Sequence, residues 1–139
     1  MECTVRWHGE GMSFIAETES NHLVAMDGAA AGGGRNLAPR PMELVLAGTG
    51  GCTAYDVVLI LKRSRQEVAA CELKLSAERA ETDPKVFTKI HMHFVVRGTN
   101  LNPSLVENAV RLSREKYCSA SKMLEKTAAI TTDFEIVAT

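Results

Sequence analysis

The sequence predicts an α+β domain made of a small β-meander, a long apolar helix, a β-hairpin, a second helical segment and a closing strand. Two observations predict it: several short runs alternate polar and apolar residues, and one long central run is apolar nearly all round. A chain of 139 residues with 45% hydrophobic and 24% charged residues has the composition of a globular protein and the length of one domain. We therefore expect residues 1–139 to form a single domain.

The chain begins with three short β-like runs. Residues 2–8 and 12–18 alternate around a Gly-Glu-Gly turn, and a third run covers residues 22–26. Short neighbouring strands joined by turns favour an antiparallel meander. The glycine-rich residues 27–39 that follow are predicted to be a mobile connection with neither helix nor strand, and they contain no phosphate-binding glycine pattern.

Residues 42–65 predict the long helix. Pro41 suits its first turn, since proline lacks the N–H that would have no partner there, and Glu43 complements the helix dipole. Because the segment is apolar nearly all round, we expect it to run through the middle of the protein or of a dimer, with its three glycines permitting another group to approach its backbone closely. Those glycines, Thr53 and Asp56 argue against a membrane span.

The rest of the chain predicts a hairpin, two helical segments and a strand. Residues 68–79 and 86–96 alternate cleanly on either side of an Asp-Pro turn, so we expect them to pair. Asn102 is placed to cap a helix that runs to about Tyr117. The remaining elements are a further helical turn or two and a closing strand, at residues 119–126 and 129–137.

The charge balance excludes two classes of partner. Sixteen Lys and Arg against 17 Asp and Glu give a formal net charge of -1, so no sequence-wide field attracts nucleic acid or an anionic membrane. The first residues show no charged leader followed by an apolar run, and we expect a cytoplasmic location. Cysteines in that compartment are kept reduced.

The four cysteines differ in their predicted surroundings; they are Cys3, Cys52, Cys71 and Cys118. No pair has C-x-x-C spacing, so we expect no zinc site. Cys118 lies where one helix ends and another begins, beside Arg114 and Lys116, a setting that can lower a thiol pKa. Cys52 lies about three turns into the long helix, where the dipole has faded, so a reactive thiolate there needs a nearby cation. By composition alone, a buried hydrophobic role is the commoner one for a helix cysteine.

Other candidate groups carry weaker signals. His91 and His93 share a strand face at a spacing that can bind a metal, but with no third ligand evident a polar sheet face is the better interpretation. No two carboxylates have a spacing that identifies a general acid and a general base, and no G-x-S-x-G pattern supports hydrolysis.

Two cysteine segments resemble the OsmC/Ohr family. Residues 39–53, PRPMELVLAGTGGCT, resemble the family's proline, glutamate and cysteine helix. Residues 113–119, with Ser-x-x-x-Tyr-Cys-Ser, resemble its second cysteine motif. The likeness covers essentially the whole chain and is closest to the small YhfA-type OsmC-like subgroup, through residues 56–58 and 115–119.

The resemblance implies an OsmC-like fold in an intertwined homodimer, with the long helices at its core and active sites at the interface. It also implies a thiol-dependent peroxidase for organic hydroperoxides, and in some members hydrogen peroxide, acting in oxidative stress defence. Cys52 would then be the peroxidatic thiol, oxidised to a sulfenic acid that Cys118 resolves as a disulfide. A cellular dithiol, such as a lipoyl group, would reduce the pair, with no cofactor and no metal.

One departure from the family pattern leaves an alternative open. In peroxidase members a glutamate directly after the helix proline orients an arginine toward the reactive cysteine; here that position is Met42 and the acid is Glu43, about 100° further round the helix. That arginine comes from the N-terminal strands, where Arg6 is the only one; Arg35 and Arg40 are other candidate cations. The displaced acid favours a non-enzymatic dimer that binds a small apolar ligand or senses redox state. A third possibility is that both cysteines are core residues.

Overall fold

The computed structural model describes residues 1–139. Its elements are, in chain order, β1 (Cys3–Trp7), β2 (Ser13–Thr18), β3 (Leu23–Asp27), a 3₁₀ turn (Ala30–Gly32), α1 (Pro41–Arg63), β4 (Glu67–Arg79), β5 (Phe87–Thr99), α2 (Pro103–Leu112), a π-helical turn (Ser113–Tyr117), α3 (Ser119–Leu124) and β6 (Ala129–Ala138). This order confirms the predicted α+β class. The chain divides into two compact units, Met1–Ala47 and Gly48–Thr139. That residues 1–139 form one domain stays a prediction.

The first unit contains the predicted meander. Its three strands form one antiparallel sheet in the order β1-β2-β3. Ala16 pairs with Val5 on one side and Val24 on the other, and its side chain is buried. The alternation of polar and apolar residues thus predicts both the strands and their order.

The glycine-rich segment after β3 is more ordered than its composition predicts. It includes the 3₁₀ turn, and the buried carboxylate of Asp27 accepts backbone N–H bonds from Gly28 at 2.8 Å, Arg35 at 3.0 Å and Leu37 at 3.1 Å. The bond from Leu37, with those from Arg35 and Gly28, outweighs burial and lowers the pKa of Asp27. The prediction that this segment contains no helix was therefore wrong at Ala30–Gly32, and that it is mobile stays a prediction.

Helix α1 begins as predicted, with Pro41 as its first residue. The backbone N–H of Arg40 donates to Glu43 Oε2 at 2.9 Å, which is one half of a capping box. Glu43 therefore has a structural role at the start of this helix.

The second unit contains a mixed three-stranded sheet in the order β4-β5-β6. Strands β4 and β5 pair antiparallel, with Leu73 opposite Phe94, as the predicted hairpin requires, and β6 lies parallel to β5. The predicted inward face of β5 is buried; its residues are Ile90, Met92, Phe94 and Val96. Asn102 caps α2 as expected, accepting the N–H of Ser104 at 2.9 Å.

One stripe of α1 is buried in this unit, and its residues are Thr49, Gly50, Thr53, Val57 and Leu61. A Cβ on Gly50 would lie 2.7 Å from Leu75 Cδ1, so this glycine lets the helix approach β4 closely. A Cβ on Gly48 or Gly51 would meet nothing within 4 Å. The expected close approach is therefore confirmed at Gly50, while the side of α1 that carries Tyr55, 68% exposed, stays open.

By length and composition alone α1 could also cross a membrane. The core helix of a soluble protein passes the same test, and in this chain 28% of the apolar window is buried.

Candidate thiol site

The structure brings Cys52 and Cys118 together. Their sulfur atoms and a carboxylate oxygen of Asp56 all lie within 4.8 Å of one another. Cys118 is fully buried, whereas Cys52 is half-buried. The site therefore contains one thiol that a reagent can reach and a second, sheltered thiol beside it.

Cys118 is positioned by an irregular turn. The helix predicted to run to about Tyr117 is regular only to Leu112. Residues Ser113–Tyr117 form a π-helical turn. A 2.8 Å hydrogen bond from the Cys118 N–H to the Ser113 carbonyl oxygen closes this turn. Such turns contain one extra residue and often occur at functional sites. Cys118 then caps α3, accepting the Ser121 N–H at its sulfur over 3.4 Å.

Buried hydroxyl groups surround the Cys118 sulfur. Thr53 Oγ1 lies 3.1 Å from it and 3.4 Å from Ser121 Oγ. The Thr53 hydroxyl also donates to the carbonyl oxygen of Thr49 at 2.9 Å, one turn earlier in α1. Thr53 and Ser121 were not predicted as site residues, because their roles depend on contact between α1 and α3.

The two thiols have opposite pKa shifts. Burial raises the pKa of Cys52, as do its neighbours Cys118 and Asp56, against a lowering bond from the Ala120 N–H. Burial also acts to raise the pKa of Cys118, but hydrogen bonds from Ser121, Thr53 and Cys52 favour its thiolate, and the net effect is a lowered pKa. The hydrogen bonds at the site therefore favour the charged form of Cys118 more than that of Cys52.

Asp56 lies one helical turn after Cys52 and faces the same side of α1. Ser113 Oγ lies 3.2 Å from Asp56 Oδ2 and 3.1 Å from the Thr53 carbonyl oxygen, and its single hydroxyl proton is donated to one or the other. The sequence analysis missed this role of Asp56, although the i, i+4 spacing from Cys52 is a signal that could have found it.

The other predicted catalytic residues, Glu43 and Arg6, belong to the first unit. Glu43 accepts the Arg40 N–H, and Arg6 forms an exposed ion pair with Glu17 at 2.9 Å across the meander. None of the leading effects on the pKa of either site thiol comes from a cation. Catalytic roles for Glu43 and Arg6 stay predictions.

A cavity of about 260 Å³, lined by both apolar and polar side chains, adjoins Asp56. Leu59, Ile60 and Leu112 supply apolar walls, and Arg63 adds a positive charge. Asp56 belongs both to this cavity and to the thiol cluster, whereas neither cysteine lines the cavity.

The histidine pair lies on the partly exposed face of the second sheet. His93 Nδ1 is 2.6 Å and His91 Nε2 is 3.4 Å from Asp133 Oδ1, and a hydrogen bond from His93 lowers the pKa of Asp133. Asp133, on the neighbouring strand β6, is a partner that the sequence analysis did not name. The arrangement agrees with the interpretation as a polar sheet face.

Comparison with known proteins identifies the family. Residues 32–133 match the family profile described as OsmC-like protein. Protein YhfA of Escherichia coli strain K12 is 48% identical over 138 residues, with 99% of each chain covered. A solved structure described only as structural genomics is 47% identical, with a TM-score of 0.90 and all of both chains covered. OhrB of Bacillus subtilis, named an organic hydroperoxide resistance protein, shares the fold at 21% identity, with a TM-score of 0.61 and 96% of each chain covered. The chain therefore belongs to the OsmC-like protein family.

Proposed function

We propose that this protein is a thiol-dependent peroxidase that reduces organic hydroperoxides through Cys52 and Cys118. The observation that carries the proposal is the pairing of a reachable thiol with a buried one, their sulfur atoms within 4.8 Å. A disulfide bond is about 2.05 Å long, so modest side-chain movement would close the pair. The name of the distant OhrB, a hydroperoxide resistance protein, supports the same chemical class.

The shifts in thiol pKa suggest how Cys52 becomes a nucleophile. Cys52 is the thiol that a peroxide can reach, but its pKa is raised and that of Cys118 is lowered. The buried Cys118 thiolate, hydrogen-bonded to Cys52, can accept its proton as a general base. Arg6 and Glu43 stay candidates for further activation of Cys52.

The proposed cycle balances with two thiols and one hydroperoxide. The Cys52 thiolate attacks the terminal peroxide oxygen and the O–O bond breaks; the alkoxide takes the proton that Cys118 accepted from Cys52 and leaves as an alcohol. Cys118 then attacks the sulfur of the Cys52 sulfenic acid, the S–O bond breaks, and water leaves. A dithiol of the cell, such as a lipoyl group, reduces the resulting disulfide.

The cavity beside Asp56 favours organic hydroperoxides over hydrogen peroxide as substrates. Its apolar walls at Leu59, Ile60 and Leu112 would bury the hydrocarbon part of such a substrate. Burial contributes about 25 cal/mol per Å² of apolar surface, a gain that hydrogen peroxide cannot make.

We further propose that the chain works as a homodimer in the cytoplasm. On the open side of α1, a Cβ at Gly48 or Gly51 would meet nothing within 4 Å, and Tyr55 is exposed. This side therefore has room for contact with a second copy of the chain. A cycle that needs reduced thiols is suited to a reducing compartment.

The proposal is tested by treating the reduced protein with one equivalent of cumene hydroperoxide and digesting it without reductant. Mass spectrometry is expected to find a Cys52–Cys118 crosslink in the natural chain and in Cys71→Ser, a half-buried control thiol on β4. Cys52→Ser is expected to lose the crosslink and turnover with dithiothreitol. Full turnover in Cys52→Ser would refute the assignment.

The acid displaced from position 42 to Glu43 favours a second candidate, a non-enzymatic protein that binds an apolar ligand or senses redox state. Saturable binding of a fluorescent fatty-acid-like probe, with cysteines left unmodified by the peroxide, would support it. Absence of saturable binding would remove its main support.

A further inference from the structure

Three side chains of the second unit converge as a metal-binding set would. The sulfur atoms of Cys52 and Cys118 and an oxygen of Asp56 all lie within 4.8 Å of one another. Thiolate and carboxylate groups are both zinc ligands, with Zn–S of about 2.3 Å and Zn–O of about 2.0–2.2 Å. In a tetrahedral site such ligand atoms lie about 3.3–3.8 Å apart, so small side-chain rotations bring this set to bonding distance.

We propose that Cys52, Asp56 and Cys118 bind a thiophilic divalent cation, Zn²⁺ in particular. The binding uses the thiol pair of the proposed function but does not depend on peroxide turnover. With three protein ligands, the fourth tetrahedral position is left to water.

The charges of the site favour a cation. A carboxylate lies beside a thiol pair that can ionise, and no cation is among the leading effects on either thiol. Two thiolates and a carboxylate within 4.8 Å of one another repel when all three are charged. A divalent cation among them would stabilise both thiolates and the carboxylate together.

The groups around the three ligands are also those that metal sites use. Ser113 Oγ holds Asp56 Oδ2 at 3.2 Å, which fixes the carboxylate while leaving its other oxygen for a metal. The Cys118 sulfur accepts the Ser121 N–H at 3.4 Å, and a bond from the Ala120 N–H favours the charged form of Cys52. Donors of this kind stabilise metal-bound thiolates.

Metal binding and oxidation of the two thiols would exclude each other. Zn²⁺ binds thiolates, so its binding displaces any proton that the two thiols still carry. The bound metal occupies the sulfur electron pairs that would attack a peroxide, so the loaded protein resists oxidation. Conversely, disulfide formation removes two ligands and releases the ion.

The test uses Co²⁺ as a spectroscopic probe on the reduced, metal-free full chain. We expect one ion per chain, a near-ultraviolet thiolate-to-cobalt charge-transfer band and the visible bands of a tetrahedral site, all displaced by Zn²⁺. Asp56→Asn is expected to weaken Co²⁺ binding about 10-fold or more. Cys71→Ser is the matched control and should bind as the natural chain does.

Two results would overturn the inference: no thiolate-to-cobalt band in the natural chain, or equal affinity in Asp56→Asn that is shown to be folded by circular dichroism. The same samples treated with cumene hydroperoxide separate the two proposals. A crosslink without cobalt binding would overturn the metal site and keep the peroxidase. Cobalt binding, with no crosslink when the metal-free protein is treated with the peroxide, would keep the metal site and overturn the peroxidase.

Discussion

Thr53 Oγ1 lies 3.1 Å from the sulfur of Cys118 and 2.9 Å from the Thr49 carbonyl oxygen, with a single hydroxyl proton for both. When Cys118 is a thiol, its own proton can point to Thr53. When Cys118 is a thiolate, the Thr53 proton must turn to the sulfur. The charge state of Cys118 is therefore coupled to a hydrogen bond within α1.

Thr53→Val is expected to raise the pKa of Cys118, because a donor to its thiolate is lost while the shape is kept. A hydrogen bond to a charged group contributes about 1.5–3 kcal/mol, which corresponds to a shift of about one pKa unit or more. Thiolate ultraviolet absorbance followed against pH, in a background without Cys3 and Cys71, measures it. Thr53→Ser keeps the hydroxyl; an equal shift in that variant would contradict the interpretation.

Asp27→Asn is expected to destabilise the protein at neutral pH and to have less effect in acid. The pKa of Asp27 is lowered in the folded protein, so its stabilising effect is full above the unfolded value of about 4 and is lost as pH falls through the folded value. Urea unfolding midpoints of Asp27→Asn and of the natural chain, measured at neutral pH and in acid, test this. Glu10→Gln, in an exposed turn, serves as control. A difference in midpoint between Asp27→Asn and the natural chain that is larger in acid than at neutral pH would refute the stabilising role of the Asp27 carboxylate.

Gly50→Val is expected to lower the free energy of unfolding by about 1–3 kcal/mol more than Gly51→Val. The two substitutions have the same cost in helix propensity, but a Cβ meets Leu75 only at Gly50. Chemical unfolding of both variants provides the comparison. Equal losses would mean that α1 is not seated on β4 as described.

Tyr55→Glu is expected to weaken the proposed dimer, because it places a charge on the open side of α1. Met123→Glu, on α3, is a matched control, since the two side chains are 68% and 69% exposed. Light scattering coupled to gel filtration gives the mass of each variant. If Tyr55→Glu remains as dimeric as the natural chain, this face is not the interface.

Local sequence patterns predict most of the fold because most elements have a clear period. The alternation in β5 identifies its buried face, and Pro41 and Asn102 mark helix starts correctly. The segment after β3 was mispredicted because its order comes from one buried carboxylate, Asp27, whose partners lie up to ten residues away.

The thiol site was only partly predictable. Resemblance to a family singled out Cys52 and Cys118, but sequence spacing cannot show that they meet. Thr53, Ser113 and Ser121 enter the site through contacts between α1 and the segment after α2, which no local pattern reports. Asp56 was within reach of prediction, since one helical turn separates it from Cys52.

The π-helical turn at Ser113–Tyr117 makes the geometry of the thiol site depend on the number of residues in this turn. One extra residue in a helix rotates all that follows by about 100° and shifts it by about 1.5 Å. Deleting a single residue from this turn would restore regular helix and swing Cys118 away from Cys52, with both cysteines still present. Among relatives that have the two cysteines, the number of residues in this turn would therefore separate two-thiol sites from chains whose cysteines never meet.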